Sequence, residues 1–146
     1  MKRKTAPNPE ERKLKEIVEE SKNILISAQA VFPFQLFPTR ITLDRHKLTI
    51  VHRSFFWAEQ TVSVPIEDIK NIQADIGPIF GSVTITSPLF INNEQKVDCL
   101  HREDARCIQK LVQGATVALK EKIDLSKVET SELNKLLMDL GEGHTV

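Results

Sequence analysis

The chain has 146 residues, of which 40% are hydrophobic and 27% charged, a balance that excludes a disordered chain as well as one embedded in a bilayer. Lys plus Arg equals Asp plus Glu at 20 each, so no overall field draws the molecule to nucleic acid or to an anionic surface. A chain of this length buries roughly 70% of the surface its unfolded form exposes, which predicts one core.

Charge is uneven along the sequence. Residues 1–15 hold six basic side chains against two acids, and residues 121–146 hold six acids against three lysines; opposed ends of this kind either attract each other or are each solvated. The basic start is followed by a polar stretch from Thr5 to Ser21 with no apolar run, so no export signal is expected. Two cysteines, Cys99 and Cys107, then read as reduced thiols of a cytoplasmic protein. Nowhere do the roughly 18 consecutive apolar residues of a membrane-crossing helix occur.

The first helix announces itself at Pro9, with Asn8 as cap and with Glu10 and Glu11 opposing the positive end of the helix dipole. Leu14, Ile17, Val18, Ile24, Leu25 and Ala28 fall at helical spacing, and the helix is predicted to run until Phe32-Pro33-Phe34. From Leu36 to Leu100 the period changes to alternation, the signature of consecutive antiparallel strands. Phe37, Thr39, Ile41 and Leu43 share a face, and Asp44-Arg45-His46 makes a tight reversal. Leu48, Ile50 and His52 follow, then Val62, Val64 and Ile66, then Ile72, Ala74 and Ile76. Gly77-Pro78 and Gly81 bracket a turn, and Asn92-Asn93 reverses the chain into Val97 and Cys99. Beyond Arg102 a helical stripe of Ala105, Ile108, Leu111, Val112, Ala115, Leu119 and Ile123 predicts a helix that covers the sheet. A shorter helix is predicted after a capping box at Ser126 to Glu129, with Leu133, Leu136, Leu137 and Leu140 on one face and Gly141 closing it.

This order, with Phe34-Gln35-Leu36-Phe37-Pro38, Ile41-Thr42-Leu43-Asp44-Arg45, Val64-Pro65-Ile66-Glu67-Asp68-Ile69 and Gly77-Pro78-Ile79-Phe80-Gly81, resembles the pleckstrin-homology-like (PH-like) domains of small uncharacterised bacterial proteins over residues 32–120. The resemblance implies an α+β fold: a bent antiparallel sheet or barrel of about seven strands capped by a C-terminal helix, with an extra helix at the start and a short one at the end. Residues 1–31 then form a basic segment and helix, 32–123 the PH-like domain, and 124–146 the short C-terminal helix and tail. The resemblance also implies a module that binds or assembles without catalysing. Its lipid-binding relatives grip anions with basic residues around the first hairpin, where this chain has Arg45, His46 and Lys47, with Arg53 further along.

Other constellations are sparse. Cys99, His101 and Cys107, near Glu103 and Asp104, do not make the paired spacing of a zinc site, so no metal is expected. No Gly-x-Ser-x-Gly elbow occurs, Glu67 and Asp68 read as turn residues, and Gly77 and Gly81 are not followed by the Lys-Ser or Lys-Thr of a phosphate loop. No enzyme, cofactor or small-molecule substrate is expected, and no aromatic and basic residues recur together as nucleic acid requires. Phe55, Phe56 and Trp57 are different, because three adjacent rings cannot all point inward from one strand. Either the first helix or the tail helix lies over them, or they are the candidate contact for a protein partner, for self-association or for a bilayer surface. The alternative is a peripheral protein that meets anionic lipid through Arg45, Lys47, Arg53 and the basic start. In the first helix Glu16, Glu19 and Glu20 dilute the positive charge, which favours packing on the domain or on a second copy over a membrane surface.

Overall fold

The computed structural model describes residues 8–31, 36–54 and 58–143. Helix α1 (Pro9–Asn23) opens as the sequence predicts, with Pro9 in its first turn and Glu10 and Glu11 at its positive end, although the Asn8 side chain makes no capping hydrogen bond. It stops well short of Ala28, and Ile24–Gln29 is instead a strand, β1. A bulge accounts for the difference. Ile24 faces Asp44 and Ile26 faces Leu43, so Leu25 is an extra residue in the ladder. Leu25 and Ala28 are thereby both buried although three positions apart, which is helical spacing produced by an irregular strand.

The chain continues through β2 (Arg40–Asp44), β3 (Lys47–Arg53), β4 (Glu59–Pro65), β5 (Asn71–Ile76), β6 (Phe80–Thr86), β7 (Glu94–His101), α2 (Arg102–Lys120) and α3 (Thr130–Gly143), with single 3-10 turns at Ile66–Asp68 and Leu125–Lys127. The fold is α+β with seven strands, but it is not a closed barrel. Among the described residues the strands form two antiparallel sheets, ordered β1-β2-β3-β4 and β5-β6-β7. The division falls where β4 ends in Pro65, which has no N–H to extend a ladder, and where Ile66–Asp68 turns the chain away.

Helix α2 spans the opening between the sheets. Ala105, Ile108, Leu111, Val112, Ala115 and Ala118 are buried on one face, meeting Ile41, Leu43, Leu48 and Ile50 of the first sheet and Val83 and Ile85 of the second in one core. Gly81 sets the closeness of approach, since a Cβ there would stand 2.7 Å from that of Ala105. Among the described residues, links between the sheets include two of note. The Val31 N–H donates to the Cys99 carbonyl at 2.7 Å, which a bulge at Asp98 and Cys99 turns out of the β6–β7 ladder, with Cys99 at φ 60°. His52 on β3 lies 3.1 Å from Thr39 Oγ1 through Nδ1 and 2.7 Å from Gln95 Nε2 on β7 through Nε2.

Helix α2 ends on the paired bonds of a Schellman motif: Lys122 N–H to Leu119 O at 3.1 Å and Ile123 N–H to Ala118 O at 2.9 Å, with Lys122 at φ 56°. The predicted capping box at Ser126 to Glu129 is not used. Asp124 Oδ1 accepts from the Ser126 N–H at 3.0 Å and its hydroxyl at 2.5 Å, which consumes Ser126, and α3 starts at Thr130. Gly141 does not close α3 but lies within it. A Cβ at Gly141 would overlap the Lys110 carbonyl, and one at Gly114 would overlap that of Leu137, so the two helices cross with backbones nearly touching.

Candidate functional site

The predicted site residues do not assemble into one place. Phe55, Phe56 and Trp57 lie outside the described residues. The described residues on either side are joined by Ser54 N–H donating to Ala58 O at 2.8 Å, beside an Arg53–Glu59 ion pair of 3.8 Å. Both partners of that pair are more than half exposed, which limits it to below about 1 kcal/mol. Arg45 is 8% exposed and turned inward. Its guanidinium donates to the Leu125 carbonyl and, at 3.1 Å, to Thr130 Oγ1. Arg45 therefore holds the α2–α3 connection against the β2–β3 turn. Asp44 shapes that turn by accepting from the N–H groups of His46 at 2.7 Å and Lys47 at 2.9 Å. Lys47 is exposed at the start of β3 and Arg53 at its end, about 20 Å apart at the rise of a strand. Among the described residues no three His, Cys, Asp or Glu side chains converge where an ion would sit.

Arg45 itself borders an open cleft of about 740 Å³ with Asn23, Glu129 and Asn134, and two other surfaces have the shape of binding sites. The first lies along β5, the edge strand of the second sheet. A cleft of about 220 Å³ meets its first two residues, Asn71 and Ile72, and adjoins one of about 410 Å³ beside the 66–70 segment that leads into it; the two share Ile69, Lys70, Thr116 and Lys120. One wall is β5 with the residues just before it, and the other is the second half of α2. Gln113 lines the first of these clefts, and its Oε1 is buried with no hydrogen-bond partner among the described residues. Thr116 is spoken for, since its hydroxyl donates to Val112 O at 2.9 Å. The exposed Lys70 and Lys120 make the rim basic, with Glu67 as the one acid.

No family model, curated protein or solved structure matches the chain. The site is therefore built from its own geometry.

The second surface is an apolar groove of about 410 Å³ between the end of α2, the 121–129 connection and α3. Leu125, Val128, Leu133, Leu137 and Leu140 line it, and Ile123 and Leu136, each about half exposed, form its lips. Asp139 is the single charged residue in the lining. Nearby Asp124 is held below the usual carboxylate range, chiefly by the Ser126 hydroxyl, then by the Ser126 N–H, with Lys127 adding its charge.

Sequence reading missed Gln113, Thr116, Lys70 and Lys120. They share no motif, and only the tertiary fold makes β5 an edge and lays α2 beside it. The leucines of the groove were legible as a helix face, but not that Ile123 and Leu136 stay uncovered.

Proposed function

We propose that the chain is a non-catalytic binding module of PH-like architecture that takes an extended segment of a protein partner along the open edge of β5. The architecture is supported by chain order: four antiparallel strands, then three, then one long helix across the opening. One observation carries the function. The edge of β5, unpaired among the described residues, begins at Asn71 and Ile72 in the wall of a cleft whose opposite wall is α2. An added strand gains main-chain hydrogen bonds from such an edge and specificity from side chains entering the cleft alternately. Lys70 and Lys120, exposed on the rim, favour an acidic side chain in the incoming segment.

Selection from a random-peptide library against the full chain, followed by amide NMR mapping, tests this reading. Selected peptides are expected to shift the amides of residues 69–72 together with those of Gln113, Thr116 and Lys120. Thr116→Arg, which fills the cleft, is expected to weaken them by about tenfold or more, equal to about 1.4 kcal/mol. N-methylation of alternate peptide amides is expected to abolish binding. Peptides that map elsewhere, or that bind the Thr116→Arg chain equally well, overturn the assignment.

A further inference from the structure

We infer that the loop joining β6 to β7, residues 87–93, inserts its tip at the headgroup–acyl boundary of a lipid bilayer and so holds one face of the protein against a membrane. This goes beyond strand addition at β5 and does not depend on it. No residue from Ser87 to Asn93 is charged. Ser87 is buried and Phe90, 6% exposed, belongs to the shared core, whereas Leu89 is 57% and Ile91 99% exposed. Two aliphatic side chains thus stand in water on either side of an anchored ring. An isoleucine with essentially its whole surface in water gains nothing from its own fold.

The loop is braced, and its backbone donors are largely paired. Ser87 N–H donates to Asn93 O at 2.9 Å, Phe90 N–H to Ser87 O at 3.2 Å and Asn93 N–H to Phe90 O at 3.0 Å. Leu89 N–H donates to Ser87 Oγ at 3.3 Å, and Pro88 has no N–H to satisfy. The tip therefore leaves water without stranding most of its donors, which is the condition an apolar medium imposes. Little ordering remains to be done on insertion, because the backbone beneath the two side chains is already fixed.

A bilayer fits this surface better than a protein does. Leu89 and Ile91 together offer about 120–240 Å² of apolar surface at the usual transfer coefficient, against about 800 Å² per partner in a stable protein interface. At 99% exposure Ile91 stands proud of the molecule, and a fluid acyl layer closes around such a side chain without needing a shaped pocket. The charges at the base of the loop agree. Lys70, whose N–H donates to Thr86 O at 2.8 Å, and Glu94, which faces Thr86 across the β6–β7 ladder, flank it. Both are exposed, one of each sign, so attachment comes from apolar burial and not from attraction to anionic headgroups.

Flotation of the full chain with highly curved phosphatidylcholine vesicles tests the inference, combined with amide NMR in the presence of the same vesicles carrying a nitroxide on the acyl chain. The chain is expected to float at millimolar lipid, to the same extent from about 0.05 to 0.5 M salt and with or without added phosphatidylserine. The nitroxide is expected to broaden the amides of residues 88–92 before any others. Leu89→Ser and Ile91→Ser, both at exposed positions, are each expected to weaken attachment by about tenfold without moving the thermal midpoint. Ile91→Trp is expected to strengthen it several-fold, since indole favours the membrane interface. Thr116→Arg, which fills the β5 cleft, is expected to float as the unaltered chain does and so separates the two proposals. A chain that stays off the vesicles, floats only with phosphatidylserine at low salt, is broadened at other residues, or floats equally well with both serine substitutions overturns the inference. A protein held through Leu89 and Ile91 by a chain that ignores vesicles would overturn it as well and assign the loop to a protein partner.

Discussion

Among the described residues Asn93, Cys99 and Lys122 adopt positive φ without being glycine. Asparagine tolerates this conformation through its short polar side chain, but lysine carries the full penalty of its Cβ, about 1–2 kcal/mol. Lys122 accepts that penalty because its place in the motif that ends α2 lets two terminal carbonyls find donors. Lys122→Gly is expected to stabilise the fold by about 1 kcal/mol, less than the full penalty because glycine loses more freedom on folding. In a chain of this size that raises the thermal midpoint by about 2–4 °C, as a calorimetric scan would read. At Cys99 the same conformation aims a carbonyl at Val31. The backbone cost there is tied to a link between the two sheets.

At the scale of elements, the α2–α3 crossing depends on two glycines. Gly114→Ala would gain about 1 kcal/mol in helix propensity, but its methyl group would meet the Leu137 backbone, which no rotamer change relieves. The net expectation is a loss of about 2 kcal/mol or more, since overpacking of a fitted interface costs about 1–3 kcal/mol before any displacement of α3. Denaturant melts, with amide exchange in α3 faster than in the sheets, would register it.

The long helix and most strands were legible in the sequence because their side chains repeat with one clear period, as in Ala105 to Ala115 of α2 or Leu48 to His52 of β3. The first strand was not. Its bulge at Leu25 produces helical spacing within an extended segment, and α1 runs into it without a Gly or Pro to mark the change. Division into two sheets instead of a barrel was equally hidden, since Pro65 and the turn after it look the same in either arrangement. Arg45 reads as a surface cation beside Lys47, and only the Leu125 carbonyl, 80 residues away in sequence, reveals its inward turn.

For the whole molecule, α3 belongs to the core. Leu133 and Leu137 are each 1% exposed and share one cluster with the strands and α2. Full burial of each contributes about 1.5–3 kcal/mol, which together is a large part of the 5–15 kcal/mol by which such a domain is stable. A chain cut after Glu129 would lose both, and would lose Thr130 Oγ1 as a partner of the Arg45 guanidinium. That chain is expected to melt without a cooperative transition and to bind an apolar dye, measured by circular dichroism and fluorescence; a sharp two-state melt near that of the full chain would contradict the assignment of α3 to the core.

The bond from Arg45 to the Leu125 carbonyl has a further consequence. Leu125 lines the apolar groove, and Arg45 sits in the β2–β3 turn between Asp44 and Lys47. Whatever widens the groove displaces Leu125 and draws on the guanidinium, and whatever repositions the turn reaches the floor of the groove by the same route. Binding energies at the two places are then linked, and such linkage is reciprocal. Tightening at either end is felt at the other through a single side chain.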